Sequence, residues 1–148
     1  MQELIRKANS RDLNTLKEFL TRANLGTEGL TEEMIDGFLM LENEKGELIG
    51  SLGMEVYEKY GMLRSLVVTT GHAEKDIFVL FDQIVQLAKE KGLKSLFLAT
   101  NKKGALPFFL LMGFVNIERE ELPEEFYRSE HIRQVLNVDN SLFLKFNL

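Results

Sequence analysis

Residues 63–81, LRSLVVTTGHAEKDIFVLF, have the layout of a phosphate-binding junction. An apolar strand-like segment leads through a polar turn into a helix-like segment. In many enzymes, backbone N–H groups at such a helix start bind the phosphates of a cofactor. Glycine is usual there because a phosphate must come close to the backbone. Here Gly71 is followed by HAEKD, residues 72–76, none of which is glycine. The stretch is therefore either a cofactor site or a place that has lost one.

The composition excludes several other kinds of site. The 148 residues suggest one domain, residues 1–148, with enough chain to bury a core. There is no cysteine, so disulfides, a thiolate nucleophile and a Cys-ligated zinc are excluded. The two histidines, His72 and His131, lie far apart and neither belongs to a His-Glu motif. We therefore expect no metal site.

Charge and hydropathy exclude two classes of partner. The net charge is −5 and no basic stripe is visible, so we expect no nucleic-acid partner. The longest apolar run, Leu106 to Phe114, is too short to span a bilayer, so we expect no membrane partner. The first residues are charged and no apolar region follows, which argues against a signal peptide. The cytoplasm is the default expectation for location.

The first half of the chain reads as strand, two helices, hairpin and strand. Residues 4–8 form a short strand, and residues 9–25 form a helix with Ser10 as N-cap. A second short helix over residues 30–38 is capped by Thr31. A hairpin covers residues 38–57 with its turn at Asn43 to Gly46, and residues 61–68 form the next strand.

The second half alternates helices with strands. Apolar residues recur at helical spacing from Asp76 to Lys91, and Gly92 ends that helix. Residues 93–100 form a buried strand, and residues 105–114 form a short helix with a proline in its first turn. A strand, a polar excursion and a closing strand at Ser141 to Phe146 complete the chain. A hairpin followed by alternating helices and strands predicts a mixed α/β sheet.

Four stretches in this order carry a resemblance that covers nearly the whole chain: IRKANSRDL, LRSLVV, NKKGALPFFLLMGF and REELPEEFYRSEHIRQVLNVDNSLFLKFNL. Together they resemble the GNAT acyltransferases, and in the tail the amino-acid N-acetyltransferases and the GNAT proteins found near arsenic-resistance genes. The resemblance implies an α/β GNAT fold with a mixed central sheet flanked by helices. It implies transfer of an acetyl group from acetyl-CoA to a small amine, with an amino-acid-like acceptor as the finer expectation.

The resemblance also assigns cofactor contacts. Backbone groups of Leu66, Val67 and Val68 would pair with the pantetheine arm after a bulge in the fourth strand, and Asn101 would help to hold that arm. A turn residue is the equally weighted alternative for Asn101. The pyrophosphate would meet the turn into the following helix.

In that turn the family pattern is Arg or Gln, two free positions, Gly, one free position, then Gly or Ala. It falls on His72, Lys75 and Ile77, and all three depart from it. Glu74 and Asp76 would repel a phosphate. Lys75 attracts one, and lysines of the next loop, Lys102 or Lys103, lie where they could reach it. The pyrophosphate loop is thus degenerate, which leaves acetyl-CoA binding in doubt.

Transfer to an amine needs a base for its proton and a donor for the oxyanion. Glu55 is the candidate base, and a solvated strand carboxylate is its alternative reading. Tyr57 or Tyr60 would donate a hydrogen bond to the substrate, with packing as the alternative role. Arg64 would bind a substrate carboxylate bidentately, or else be a surface or ion-paired arginine. Phe109 lies where the family often has a tyrosine that acts as the acid for the leaving thiolate.

Three functions follow. The first is an acetyl-CoA-dependent N-acetyltransferase acting on a small-molecule amine. The second is a catalytically inactive GNAT-fold protein that binds a small molecule or a protein partner in the same cleft, because the loop lacks its glycines. The third is an interaction module, such as a homodimer in which the closing strand, Ser141 to Phe146, pairs with a partner edge.

Overall fold

The computed structural model describes residues 4–27, 29–69, 73–137 and 141–148. In these residues seven strands form one sheet in the order β1-β2-β3-β4-β5-β7-β6. Neighbouring strands are antiparallel except for β4 and β5, which are parallel. The strands are β1 (Leu4–Lys7), β2 (Phe38–Glu42), β3 (Leu48–Tyr57), β4 (Tyr60–Val68), β5 (Ser95–Thr100), β6 (Val115–Ile117) and β7 (Leu142–Asn147). The mixed α/β sheet predicted from the sequence is confirmed.

The helices lie between the strands as the sequence pattern indicated. The α-helices of the described residues are α1 (Leu13–Arg22), α2 (Ala73–Glu90), α3 (Leu106–Met112) and α4 (Glu130–Leu136). Short 3₁₀ helices cover Ser10–Asp12, Ile35–Gly37, Lys103–Ala105, Arg119–Glu121 and Glu124–Arg128. α2 carries its apolar residues at a period of 3.6, which buries one face from Leu80 to Ala88. Gly113 ends α3 in a left-handed conformation with φ 111°.

The core lies on both faces of the sheet because side chains alternate along each strand. On one face, Leu52 and Met54 of β3 pack with α2 and α3 residues such as Leu80 and Phe109. On the other face there are two smaller clusters. One forms around Leu16, Leu20 and Phe38 with α1, and the other around Phe97, Phe126 and Ile132 with the segment that ends in α4.

Three local predictions were wrong. The N-cap is Asn9 rather than Ser10, because the Asn9 side chain accepts from the Arg11 N–H (2.9 Å) and Asp12 accepts in return from the Asn9 N–H (2.8 Å). The second short helix is a single 3₁₀ turn, Ile35–Gly37, although Thr31 does accept a weak bond from the Met34 N–H (3.4 Å). The polar excursion before the closing strand contains helix α4.

The closing strand is not an open edge. β7 pairs with β5 along its whole length and with β6 from Phe143 to Lys145. Its backbone groups are therefore used within the sheet, and the prediction that this strand pairs with a partner edge is wrong. The edges of the sheet are β1 and β6. Whether the protein forms a homodimer by another surface stays a prediction.

Candidate functional site

The parallel strands β4 and β5 separate part way along their length. They pair at Tyr60 with Ser95, Gly61 with Leu96 and Met62 with Phe97, and no further pair is formed among the described residues. From Leu63 onwards, β4 therefore presents a backbone edge that β5 does not fill. The gap between the two strands is the centre of the candidate site.

A bulge in β4 accompanies this separation. Ser51 faces Val67 and Gly53 faces Arg64, so Leu52 lies opposite two residues, Ser65 and Leu66. Ser65 has φ 59°, an uncommon value for a residue other than glycine. The Ser51 hydroxyl donates to the Ser65 carbonyl (2.7 Å), which holds the bulge in place.

A cavity of about 620 Å³ occupies the gap. Its walls come from β4, β5, α2 and α3 and from segments on the opposite face of the sheet. The sheet is therefore open through to both faces here. Among the lining residues are Leu25, Leu63, Arg64, Ser65, Leu66, Val68, Glu74, Ile77, Phe81, Leu98, Thr100, Asn101, Lys102, Phe108, Phe109, Met112, Val135 and Ser141.

The cavity brings together part of the predicted cofactor set. Leu66, Val68, Ile77 and Asn101 line it. Val67 does not line it, and its side chain packs against the cluster around α1. The predicted role of Val67 requires only its backbone and stays a prediction.

The two other positions predicted to bind the pyrophosphate are Lys75 and His72. Lys75 is exposed and does not line the cavity. His72 lies outside the described residues. At the first turn of α2 the charged residue on the cavity wall is Glu74, and Asp76 is buried just behind it. Lys102, which follows β5, lines the wall as well.

Arg64 and Glu55 form a buried ion pair. Arg64 Nη1 lies 3.3 Å from Glu55 Oε2, and the two side chains are 0% and 1% exposed. The surface alternative for Arg64 and the solvated alternative for Glu55 are therefore wrong, and the ion-paired alternative for Arg64 is confirmed. Arg64 lines the cavity, yet its guanidinium is closed off from solvent. Binding of a substrate carboxylate by Arg64 stays a prediction, and so does a catalytic role for Glu55.

The Glu55 carboxylate has two further partners on the same face of the sheet. The Ser129 hydroxyl donates to Oε1 at 2.7 Å, and the Tyr57 hydroxyl donates to the same oxygen at 3.2 Å. Burial raises the pKa of Tyr57 above its usual value of 10, so Tyr57 is a neutral donor at physiological pH. Tyr57 does not line the cavity, and its predicted contact with substrate stays a prediction.

Arg64 has further anchors around its guanidinium. Nη2 donates to the Gly26 carbonyl (3.3 Å) and Nε donates to the Ser65 hydroxyl (3.2 Å). Its Cζ lies 5.9 Å from the centre of the Phe38 ring. That ring packs so closely on Gly53 that a Cβ at this position would overlap it. Glycine is therefore required at the β3 position opposite Arg64.

Several residues of the site were not predicted from the sequence, among them Leu25, Ser129 and Val135. Ser129 caps α4 by accepting from the Ile132 N–H at 3.1 Å, and Val135 of α4 lines the cavity. The signal was present, since a serine is followed by apolar residues three and seven positions later, Ile132 and Leu136. Both apolar residues are buried. Because charged residues surround this signal, the sequence pattern indicated only a polar excursion.

The cavity wall opposite β4 is aromatic. At position 109 it carries a phenylalanine, which has no acidic group. Phe109 is 8% exposed and lines the cavity, and its ring contacts Phe108 and Phe114 edge to face.

Across residues 4–27, 29–69, 73–137 and 141–148, no three His, Asp or Glu side chains are grouped as metal ligands. Within the same ranges no helix has both the length and the apolar character needed to cross a membrane.

Solved structures of other proteins share this fold. N-acetylglutamate synthase from Neisseria gonorrhoeae, complexed with coenzyme A and N-acetyl-glutamate, matches with a TM-score of 0.80 at 23% identity. The match covers 100% of this chain and 35% of the synthase, so this chain spans about a third of that protein. An acetyltransferase of the GNAT family from Staphylococcus aureus Mu50 matches with a TM-score of 0.74 at 19% identity over 99% of each chain. The fold is therefore that of the GNAT acetyltransferases, as the sequence resemblance implied.

One sequence relative is close enough to show a family. Over 142 residues, 95% of each chain, the protein is 30% identical to the uncharacterized protein YwlB of Bacillus subtilis (strain 168). The chain belongs to the same family as YwlB. No family model matches the chain.

Proposed function

We propose that this protein is an N-acetyltransferase that moves an acetyl group from acetyl-CoA to a small amine. The observation that carries this proposal is the 620 Å³ cavity where β4 and β5 separate. A thioester arm needs an open backbone edge to pair with, and β4 offers one from Leu63 to Val68. The coenzyme A of the Neisseria synthase supports the same choice of donor.

The donor and the acceptor would enter from opposite faces of the sheet. The wall on the α2 and α3 side is mostly apolar, with Ile77, Phe81 and Met112, and suits the uncharged pantetheine arm. Asn101 adds an amide at the end of β5. The amine would then approach from the other face, past Leu25 and Val135. We call the part of the cavity lined by these two residues the acceptor side.

In the reaction the neutral amine nitrogen attacks the thioester carbonyl carbon, the new C–N bond forms, and the C–S bond breaks. The bulge at Ser65 and Leu66 leaves backbone groups out of the regular ladder, where an N–H could stabilise the oxyanion. Phe109 has no proton to give, so the CoA thiolate, a fairly stable anion, leaves without an acid from that position. The proton of the amine passes to a base or to water.

The charges at the cavity entrance lead us to expect weak binding of acetyl-CoA. Glu74 lies on the wall beside the N-terminal turn of α2, where a helix would otherwise attract phosphate. Lys102, on the other side, compensates in part. We therefore expect acetyl-CoA to bind in the high micromolar range rather than the low micromolar range.

The second candidate is a GNAT-fold protein that binds a ligand in this cavity without catalysis. It is favoured by the burial of Arg64 and Glu55, whose side chains are 0% and 1% exposed. The two groups that the sequence offered for substrate binding and proton transfer are therefore turned towards each other. In this case acetyl-CoA or a smaller molecule would bind and no transfer would follow.

Titration calorimetry with acetyl-CoA, followed by a thiol-release assay with a panel of amines, separates the two candidates. The chain has no cysteine, so a thiol reagent reports only released CoA. Asn101→Ala should weaken binding, whereas Asn116→Ala, at an exposed asparagine of the edge strand β6, should not. Absence of binding at millimolar acetyl-CoA would contradict the enzyme, and binding without turnover of any amine would favour the second candidate.

A further inference from the structure

Two segments that form the acceptor side are tied to β3 and β4 through one group of polar side chains, of which Arg64, Glu55 and Ser129 are buried and Tyr57 is half-buried. We call Arg64, Glu55, Tyr57 and Ser129 the buried clasp. Arg64 Nη2 donates to the Gly26 carbonyl (3.3 Å), next to Leu25. Glu55 accepts from Ser129 (2.7 Å), the N-cap of α4, which carries Val135. Leu25 and Val135 both line the cavity.

The clasp links distant parts of the chain at a single carboxylate. Glu55 and Ser129 are 74 positions apart, and Arg64 and Gly26 are 38 apart. Three donors converge on the Glu55 carboxylate, from Arg64, Tyr57 and Ser129. A charge this well satisfied and only 1% exposed is held in one position. The same features leave it little access to a proton on a substrate in the cavity.

We propose that the buried clasp positions Leu25 and Val135 as the apolar walls that select the acceptor, and that Glu55 is a positioning residue rather than the catalytic base. This inference rests on the proposed function for its selectivity part. The walls that it names are a leucine and a valine, so the acceptor that they fit has an apolar group close to its amine. Thr100 and Ser141 supply hydroxyl groups nearby.

The clasp can be tested without any activity, by amide hydrogen exchange on the full chain. Glu55→Gln and the milder Ser129→Ala should both speed exchange in residues 24–27 and in residues 130–136 more than in β2, whose core amides report only the loss of global stability. Asn9→Ala, which removes the N-cap at the start of the α1 region, is the control and should act there alone. A local excess in only one of the two segments, in neither of them, or an equal increase throughout the molecule would overturn the clasp.

Kinetics then separate positioning from base catalysis, with n-butylamine, phenylethylamine and L-glutamate as acceptor probes. For Ser129→Ala we expect the acceptor KM to rise about tenfold, with little change in kcat or in the acetyl-CoA KM, and Ser129→Thr to restore it. For Glu55→Gln the acid limb of the pH profile should stay in place. A fall in kcat of roughly 10²-fold or more together with loss of that limb would make Glu55 the base and overturn the proposal.

Selectivity is tested at the walls themselves. Val135→Ala and Leu25→Ala should lower kcat/KM for phenylethylamine relative to L-glutamate, and unchanged ratios would overturn the role of these walls. If the wild-type protein neither binds acetyl-CoA nor turns over an amine, the proposed function and the selectivity part fail together. The hydrogen-exchange result still decides whether the clasp exists.

Discussion

Arg64 Nη1 lies 3.3 Å from Glu55 Oε2, and neither side chain is more than 1% exposed. Charges removed from water to this degree persist only when they are paired and hydrogen-bonded. In this protein both conditions hold, since Glu55 accepts from three side chains and Arg64 also donates to Gly26 and Ser65. The pair connects the segments around the site, so we expect its removal to lower the free energy of unfolding.

Glu55→Gln should lower the free energy of unfolding by about 3 kcal/mol, because it leaves the Arg64 charge buried and without its counter-charge. Urea denaturation at pH 7 measures this. The matched control is Glu58→Gln, which removes a surface pair whose side chains are 62% and 64% exposed and whose atoms lie 3.6 Å apart. We expect that control to change stability by less than about 0.5 kcal/mol. Equal effects of the two substitutions would contradict the buried pair.

Gly53→Ala should destabilise the protein by roughly 1–3 kcal/mol, because its Cβ would overlap the Phe38 ring that packs beneath Arg64. Gly104→Ala is the control, since a Cβ there meets nothing within 4 Å and the residue has no positive φ. Thermal unfolding of both variants is the measurement. A tolerated Gly53→Ala would mean that Phe38 and Arg64 can shift without cost.

Glu74→Gln should tighten acetyl-CoA binding about threefold at low salt, because it removes a negative charge from the cavity wall beside the pyrophosphate position. Glu90→Gln changes the net charge by the same amount at the far end of α2 and should leave the affinity unchanged. Calorimetry at two salt concentrations checks both, since screening should shrink the gain. A gain shared by both variants would assign it to net charge alone.

The Arg6–Asp12 pair predicts a pH-dependent contribution to stability. The Arg6 side chain donates to both carboxylate oxygens of Asp12 at 2.8 Å, and this holds the pKa of Asp12 below its usual value of 3.8. A group with a lowered pKa stabilises the folded state above its unfolded pKa and loses that contribution as the pH falls through the folded pKa.

Asp12→Asn should therefore cost about 1 kcal/mol at pH 7, a modest value because Arg6 is part-exposed. The difference from the wild type should shrink as the pH falls below the usual carboxylate range. Urea titrations at pH 7, 4 and 3 follow it. A difference that is independent of pH would show that the charge of Asp12 contributes nothing.

The elements with strong periodicity could be predicted from the sequence, and the short ones could not. The apolar stripe of α2 and the apolar run of β5 each admit one burial pattern, and both lie where the pattern indicated. In the Ile35–Gly37 turn and around Asn9, one or two hydrogen bonds decide between an α-helix and a 3₁₀ turn. A difference of one or two hydrogen bonds leaves no trace in the spacing of the apolar residues.

The cavity residues on regular strands were predictable in the same way. Leu66, Val68 and Asn101 follow from the order of strands in the resemblance. The resemblance implied a bulge in the fourth strand, but the Arg64–Glu55 pair also depends on the register between β3 and β4, which the sequence does not reveal. The contact from Ser129 spans 74 positions and depends on where the last segment packs. Of the three positions that depart from the pyrophosphate pattern, Lys75 and Ile77 lie in α2 and His72 lies outside the described residues, so a binding measurement is needed to test the loop.

A crystal structure of the protein grown with millimolar acetyl-CoA tests the central claim most directly. The account predicts electron density for the pantetheine arm between β4 and β5, paired with the backbone of Leu66 to Val68, with the thioester facing Leu25 and Val135. An arm bound elsewhere, or an empty gap between the strands at saturating acetyl-CoA, would contradict it.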